Sequence, residues 1–326
     1  MNMELFAPIL AFLVAALACR TLTLPIPRRW FLDKPNDRSL HVKPVPRTGG
    51  MGILLGVVVA TCVLDFRVIS VLLALSLMLA IVSLFDDWKG LSAGSRLMVH
   101  LFGALALTVL KGWAALTFAS ALIVISIVWM INLYNFMDGA DGLAGGMGVF
   151  GFGAYATAAW YGGDIQLALL CASISAAAAG FLLFNFPPAK MFMGDVGSVP
   201  LGFLAASIGA VGWKAGLWPF WFPFIVFAPF IVDASVTLGK RALRGERIWQ
   251  AHRSHYYQRQ VLLGWTHRQL ALAEYVLMGM SVATGLIALR LDVGDAYLIL
   301  AGLALLYVGL MIAIDRRWAR REMVNA

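Results

Sequence analysis

Residues 68–89 read VISVLLALSLMLAIVSLFDDWK, an uncharged stretch over 68–85 closed by Asp86 and Asp87. A hydrocarbon core of about 30 Å needs roughly 20 helical residues to cross it, so this segment is a membrane-spanning helix ending in two acids. The same pattern recurs along the chain. Apolar segments fall near 3–24, 49–65, 68–85, 97–110, 113–131, 143–161, 165–184, 198–212, 217–237, 271–290 and 296–314. With 61% hydrophobic and 13% charged residues, a soluble fold would expose far too much apolar surface. The expectation is an all-α, polytopic integral membrane protein with a single transmembrane domain over 1–326. Eleven spans place the termini on opposite sides; if one of the short segments at 97–110 or 198–212 did not cross, the count would be ten.

Orientation follows from the basic residues. The connections 25–48, 86–96, 132–142, 185–197 and 238–270, with the tail 315–326, hold 20 of the 25 Lys and Arg; the opposite side holds Arg67, Lys111, Lys214 and Arg290. Basic loops resist translocation, which puts the first group in the cytoplasm, the N-terminus in the periplasm and the C-terminus in the cytoplasm. The first segment lacks a basic n-region and a small-residue exit, so it reads as a retained span. The net charge of +8 faces an anionic leaflet, and nucleic acid is not an expected partner. Cys19, Cys62 and Cys171 lie in apolar spans and read as small core residues. A homodimer would need only a lipid-facing patch.

The acids share the cytoplasmic side. Asp138 and Asp141, in NLYNFMDGADGLAGG, lead towards the sixth span, and Asp195, in FNFPPAKMFMGDVGS, towards the eighth. At helix N-termini unsatisfied N–H groups favour negative charge, and carboxylates there suit a hard cation. Asp138 and Asp141 would share a face if the helix has begun. Asp86 and Asp87 instead end a helix, where the dipole and each other's charge oppose them, so the pair needs a cation beside it or one member must hold a proton. Neighbouring helical residues diverge, so the two need not serve the same purpose. A lone Asp of this kind is usually a cap or a solvated boundary residue. Three connections repeating the theme argue for a metal-dependent site handling a phosphate-bearing substrate beside lipid.

Two basic elements accompany the acids. HVKPVPRTGG supplies Lys43 and Arg47 before a glycine pair; alone it anchors the chain to the inner leaflet, and beside a metal-bound phosphate it is a clamp. The connection 238–270 mixes Arg with aromatic residues, as an amphipathic surface helix does. Within it His252 and His255 would share a helical face, flanked by Arg253 and Arg259 that could hold a diphosphate.

Taken in order, DKPNDRSLHVKPVPRTGG, FDDWKGLSAGSR, NLYNFMDGADGLAGG, NFPPAKMFMGDVGS and AHRSHYYQR resemble the polyprenyl-phosphate N-acetylhexosamine-1-phosphate transferases, over residues 33 to 260. The resemblance implies transfer of a sugar-1-phosphate from a UDP-N-acetylhexosamine to undecaprenyl phosphate in a bacterial inner membrane, with release of UMP. It implies Mg²⁺ as cofactor, with Mn²⁺ as the alternative. By the motifs, Asp195 stands for the main metal ligand, and Asp86 with Asp87 for the catalytic pair at the metal and lipid-phosphate end. Asn135, Asp138, Asp141 and Asn185 match the nucleotide and metal pocket, and Lys43 and Arg96 the phosphate-binding cations. Arg96 stands where some members carry Lys. The HxxH spacing of His252 and His255 departs from the contiguous histidines of the peptidoglycan translocases and is closer to the branch that initiates O-antigen and related surface polysaccharides. The rival readings are a secondary transporter and a lipid-binding protein without transferase activity. A transporter would keep its charges at mid-depth on broken helices, whereas Asp233 and Glu274 lie towards the cytoplasmic ends of their spans.

Overall fold

The computed structural model describes residues 3–24, 32–33, 44–64, 66–113, 117–247, 250 and 252–325. Its helices in chain order are α1 (Ala7–Leu22), α2 (Gly49–Thr61), α3 (Phe66–Lys89), α4 (Ala93–Leu110), α5 (Phe118–Met137) and α6 (Leu143–Tyr161). There follow α7 (Ile165–Asn185), α8 (Asp195–Lys214), α9 (Phe222–Val226), α10 (Ala228–Leu243), α11 (Tyr256–Leu262), α12 (His267–Ala288) and α13 (Val293–Asn325). Two residues of extended chain, Leu32–Asp33, pair antiparallel with Val45–Pro46. Each of the eleven predicted segments contains a helix. Among the described residues, eight helices are long and apolar enough to cross a membrane: α1 with its leading turn, α3, α4, α5, α7, α8, α12 and α13. The protein is an all-α polytopic membrane protein.

Polar caps set several helix starts. Ser92 accepts the Ser95 N–H at 3.1 Å to open α4, and Asp164 accepts the Leu167 N–H at 2.9 Å to open α7. The two short predicted segments are full helices, because α4 and α8 extend into their polar flanks. The segment 217–237 is not one helix. It breaks at Phe227 into α9 and α10, since Pro229 brings no N–H to the ladder and its ring crowds the preceding turn. The predicted connections are also shorter than expected: α5 runs on to Met137, α10 to Leu243, and α12 already begins at His267.

α8 is the most enclosed of the spanning helices and packs between α3 and α5, while α7 packs against α1, α2 and α6. The floor under the N-terminus of α8 is tight. A side chain at Gly50 would meet the Gly197 nitrogen at 2.3 Å, so only glycine lets the start of α2 lie on the start of α8. The N–H groups of Gly49 and Gly50 donate to the carbonyls of Phe192 and Met193, both at 2.9 Å, and the Phe192 N–H donates to the Pro46 carbonyl at 2.8 Å. These bonds tie the segment before α2 to the strand of chain that delivers Asp195.

Candidate active site

Acid-bearing helix ends from across the sequence converge on one cavity of about 1090 Å³. Asp86, Asp138, Asp141 and Asp195 line it, with Arg47, Arg96, Asn135, Asn185 and Phe192. All four histidines among the described residues, His100, His252, His255 and His267, line it as well. From this polar end the wall continues along α3, α4 and α5 as Leu79, Val82, Leu97, Leu101, Val124 and Val128. Asp87 and Arg253 are not among the lining residues, and Arg253 is exposed. Lys43 lies outside the described residues.

Asp195 is the first residue of α8, as expected, where the helix's N–H groups attract its charge. Its Oδ1 accepts the Asn135 side-chain amide at 2.8 Å, and the same amide lies 2.9 Å from the Ser198 hydroxyl. Asn135 belongs to the last turn of α5, so one side chain joins the end of α5 to the start of α8.

Asp138 and Asp141 do not begin α6. Asp138 caps the C-terminus of α5, and α6 starts only at Leu143 behind Gly142, whose φ of 77° a side chain would oppose. The two acids therefore share no helical face; a pinned turn holds them. The Tyr134 and Tyr275 hydroxyls donate to the Ala144 and Gly142 carbonyls, both at 2.8 Å, and the Tyr257 hydroxyl donates to the Phe136 carbonyl at 3.0 Å. Asn185 accepts the Gly142 N–H and donates to the Met191 carbonyl, both at 2.9 Å. Its amide is thus spent on fixing two loops at the cavity wall. Asp141 accepts the Ala189 N–H at 3.0 Å, and His267 Nδ1 lies 3.1 Å from its Oδ1 and 3.3 Å from its backbone nitrogen.

The adjacent acids diverge. Asp86 faces Arg96 at 3.5 Å and accepts the Leu91 N–H at 2.5 Å, while Asp87 faces Arg47 at 3.7 Å. Two arginines supply the cation that a carboxylate pair at a helix C-terminus requires.

His252 and His255 sit before α11 and not on a surface helix, yet they approach each other, with ring centroids 4.8 Å apart. Burial, then the neighbouring His255, then Arg241 push the His252 ring down to about 4. His255 Nδ1 lies 3.1 Å from the buried Asp233 of α10. Asp233 and His267 were not singled out as site residues from the sequence. The legible signal for α10 was Asp233, Thr237 and Arg241 at i, i+4 and i+8, a buried polar stripe in an apolar helix. Nothing in its local pattern marks His267.

Among the described residues no three His, Cys, Asp or Glu side chains form a ready metal cage. The donor set around the cavity still fits Mg²⁺. That ion takes oxygen ligands and is commonly held by one or two carboxylates plus substrate phosphates, which Asp195 and Asp86 on the cavity wall could supply in part.

Comparison with known proteins agrees with this arrangement. A family model described as glycosyl transferase family 4 matches residues 69–212, from α3 to the end of α8. The chain is 30% identical over 296 residues to a probable undecaprenyl-phosphate N-acetylglucosaminyl 1-phosphate transferase of Bacillus subtilis (strain 168), covering 82% of this chain and 81% of that protein. It is 31% identical over 300 residues to a phospho-N-acetylmuramoyl-pentapeptide-transferase of Desulfotalea psychrophila (strain LSv54 / DSM 12343), covering 76% and 79%. It is 26% identical over 310 residues to an undecaprenyl-phosphate alpha-N-acetylglucosaminyl 1-phosphate transferase of Yersinia pestis, covering 88% and 85%. With its motifs gathered at one cavity and these relatives matched along most of their length, the chain belongs to the polyprenyl-phosphate N-acetylhexosamine-1-phosphate transferase family.

Proposed function

We propose that the protein transfers an N-acetylhexosamine-1-phosphate from its UDP-sugar to undecaprenyl phosphate, releasing UMP, at the cytoplasmic face of a bacterial inner membrane. The sugar is N-acetylglucosamine or a 6-deoxy relative such as N-acetylfucosamine or N-acetylquinovosamine, and the product starts an O-antigen or related surface polysaccharide. The observation that carries this reading is the continuity of the cavity. One end gathers carboxylates and arginines, and an apolar wall runs from it along α3, α4 and α5, which suits a substrate pair in which one member is a lipid and both carry phosphate.

A phosphate monoester has a second pKa near 6, so at neutral pH the acceptor is mostly a dianion and carries its own nucleophilic oxygen. That oxygen bonds to the sugar-bearing β-phosphorus as the bridge to the α-phosphorus breaks, and UMP leaves with the bridging electron pair. Arg96, oriented by Asp86, and Arg47, oriented by Asp87, hold phosphate oxygens at the cavity rim. Asn135 fixes the Asp195 carboxylate facing the cavity. Mg²⁺ held by Asp195 and Asp86 would neutralise diphosphate charge, the main demand of phosphoryl transfer. The turn from Asp138 to Gly142, pinned by three tyrosines and Asn185, gives the nucleotide side a rigid wall.

The test is transfer of label from β-³²P UDP-N-acetylhexosamines to undecaprenyl phosphate by the purified full chain, with Mg²⁺ or with chelator. UDP-N-acetylmuramoyl-pentapeptide belongs in the donor panel, because peptidoglycan-type relatives also match the chain. Metal-dependent labelled lipid from a UDP-N-acetylhexosamine supports the reading. Label from the muramoyl donor alone would move the protein to cell-wall synthesis, and no labelled lipid from folded protein would overturn transfer altogether.

A further inference from the structure

Asp233 is buried in α10, does not itself line the cavity, and is surrounded by hydrogen-bond donors. Oδ1 accepts the Tyr256 N–H at 2.9 Å, the Thr237 hydroxyl at 3.1 Å and His255 Nδ1 at 3.1 Å, while Oδ2 accepts the Tyr257 N–H at 2.9 Å. An ionised carboxylate offers about four lone-pair sites and no proton, so this one is filled and is purely an acceptor. The network therefore assigns the His255 proton to Nδ1. Nε2 has no hydrogen-bond partner among the described residues, and His255 lines the cavity.

We propose that Asp233 is a positioning residue for the transfer reaction: it docks the start of α11 and holds His255 in the tautomer that presents a bare Nε2 to the nucleotide-sugar donor. The inference rests on the transferase reading above. A bare ring nitrogen needs a hydrogen-bond donor opposite it. An acceptor lipid whose phosphate is mostly a dianion has almost none, whereas a nucleotide sugar carries hydroxyls and an amide N–H. His255 also sits beside the turn that the transferase reading gives to the nucleotide. Its ring centroid is 6.1 Å from that of Phe136, next to the Asp138 turn, and 5.9 Å from that of Tyr257, whose hydroxyl holds the Phe136 carbonyl. Asp233 thus fixes, through α11, both the ring and the wall against which the donor lies. It lies beyond the stretch 69–212 that the family model matches.

His255→Asn separates the two jobs of this ring. The Asn amide can take the place of Nδ1–H against Asp233, and Asn is a favoured residue at a helix N-cap, but nothing replaces Nε2. With full-length protein and a UDP-N-acetylhexosamine that the wild type uses, H255N should keep the wild-type melting temperature and acceptor KM. Its donor KM should rise about tenfold or more, the cost of leaving one substrate polar group unpaired. Asp233→Asn should raise donor KM similarly, and the D233N/H255N double variant should be little worse than either single, because both act through one contact. If D233N fails to fold, H255N alone decides. An unchanged donor KM in H255N, or fully multiplicative effects in the double variant, would overturn the proposal while leaving the transferase intact. A wild type that labels no lipid from any donor overturns the transferase reading itself, and this inference with it.

Discussion

The Asn135 amide nitrogen lies 2.8 Å from Asp195 Oδ1 and 2.9 Å from the Ser198 hydroxyl, so the carboxylate at the head of α8 is oriented by a side chain from the foot of α5. Asn135→Ala frees that carboxylate without adding charge. Loss of such an orienting partner commonly costs 10- to 100-fold in metal affinity or activity, and a fall in kcat of about that size is expected at saturating substrates. Steady-state transfer over a Mg²⁺ titration reads both quantities. Wild-type kcat and Mg²⁺ dependence in N135A would show that Asp195 needs no such support.

Asp87 pairs with Arg47 at 3.7 Å and is not among the cavity-lining residues, whereas its neighbour Asp86 is. A dianionic acceptor needs no proton removed before it attacks. Asp87→Asn should therefore raise the KM for undecaprenyl phosphate, by loosening Arg47, and leave kcat nearly unchanged once the lipid saturates. Loss of a general base would instead cost about 100-fold or more in kcat. Measuring kcat at saturating acceptor separates the two, and a drop of that size would assign Asp87 to proton transfer.

These two cases show what could be read from the chain and what could not. The helices were legible because apolar runs of spanning length leave little choice, and Asp195 as a helix head followed from its place just before the eighth apolar segment. The divergence of Asp86 and Asp87 followed from helix geometry, but their arginine partners did not, because Arg47 and Arg96 reach them from other elements. Asp138 closes α5 where a helix start is expected, and Asp141 stops in the turn just before the Gly142 cap of α6, because DGADG looks the same whether it closes one helix or opens the next. Asp233 was hidden for another reason. It reads as one polar residue near the end of a span until the chain folds α11 back onto it, about twenty residues later in sequence.

Asp315 of α13 holds the other side of α11. It pairs with Lys240, accepts the Tyr256 hydroxyl at 3.1 Å and meets Arg259 Nη1 at 2.9 Å. Arg259 is buried, and its Nε has no partner. Asp315→Ala leaves that guanidinium without its carboxylate. The expected loss is about 1–3 kcal/mol, the cost of leaving a buried polar group unsatisfied, read as a lower melting temperature in detergent. Adding Arg259→Met should recover most of it, because the unpaired charge goes too. An unchanged melting temperature in D315A would mean that α11 does not depend on α13.

His252 gives a pH dependence whose sign can be worked out. Its Nδ1 accepts the Ser254 N–H at 3.3 Å, and burial, the adjacent His255 and Arg241 hold the ring down to about 4. An unfolded chain protonates the same ring near 6.5. Between those values the unfolded state binds a proton that the folded state refuses, so this residue's contribution to stability is complete above about pH 6.5 and is lost progressively as pH falls towards 4. His252→Asn keeps an acceptor for the Ser254 N–H and removes the titration. The wild-type melting temperature minus that of the variant should be flat above about pH 7 and should decline steadily below 6.5. A difference that stays constant down to about pH 4.5 would show that the ring takes up its proton as readily in the folded protein as in the unfolded chain.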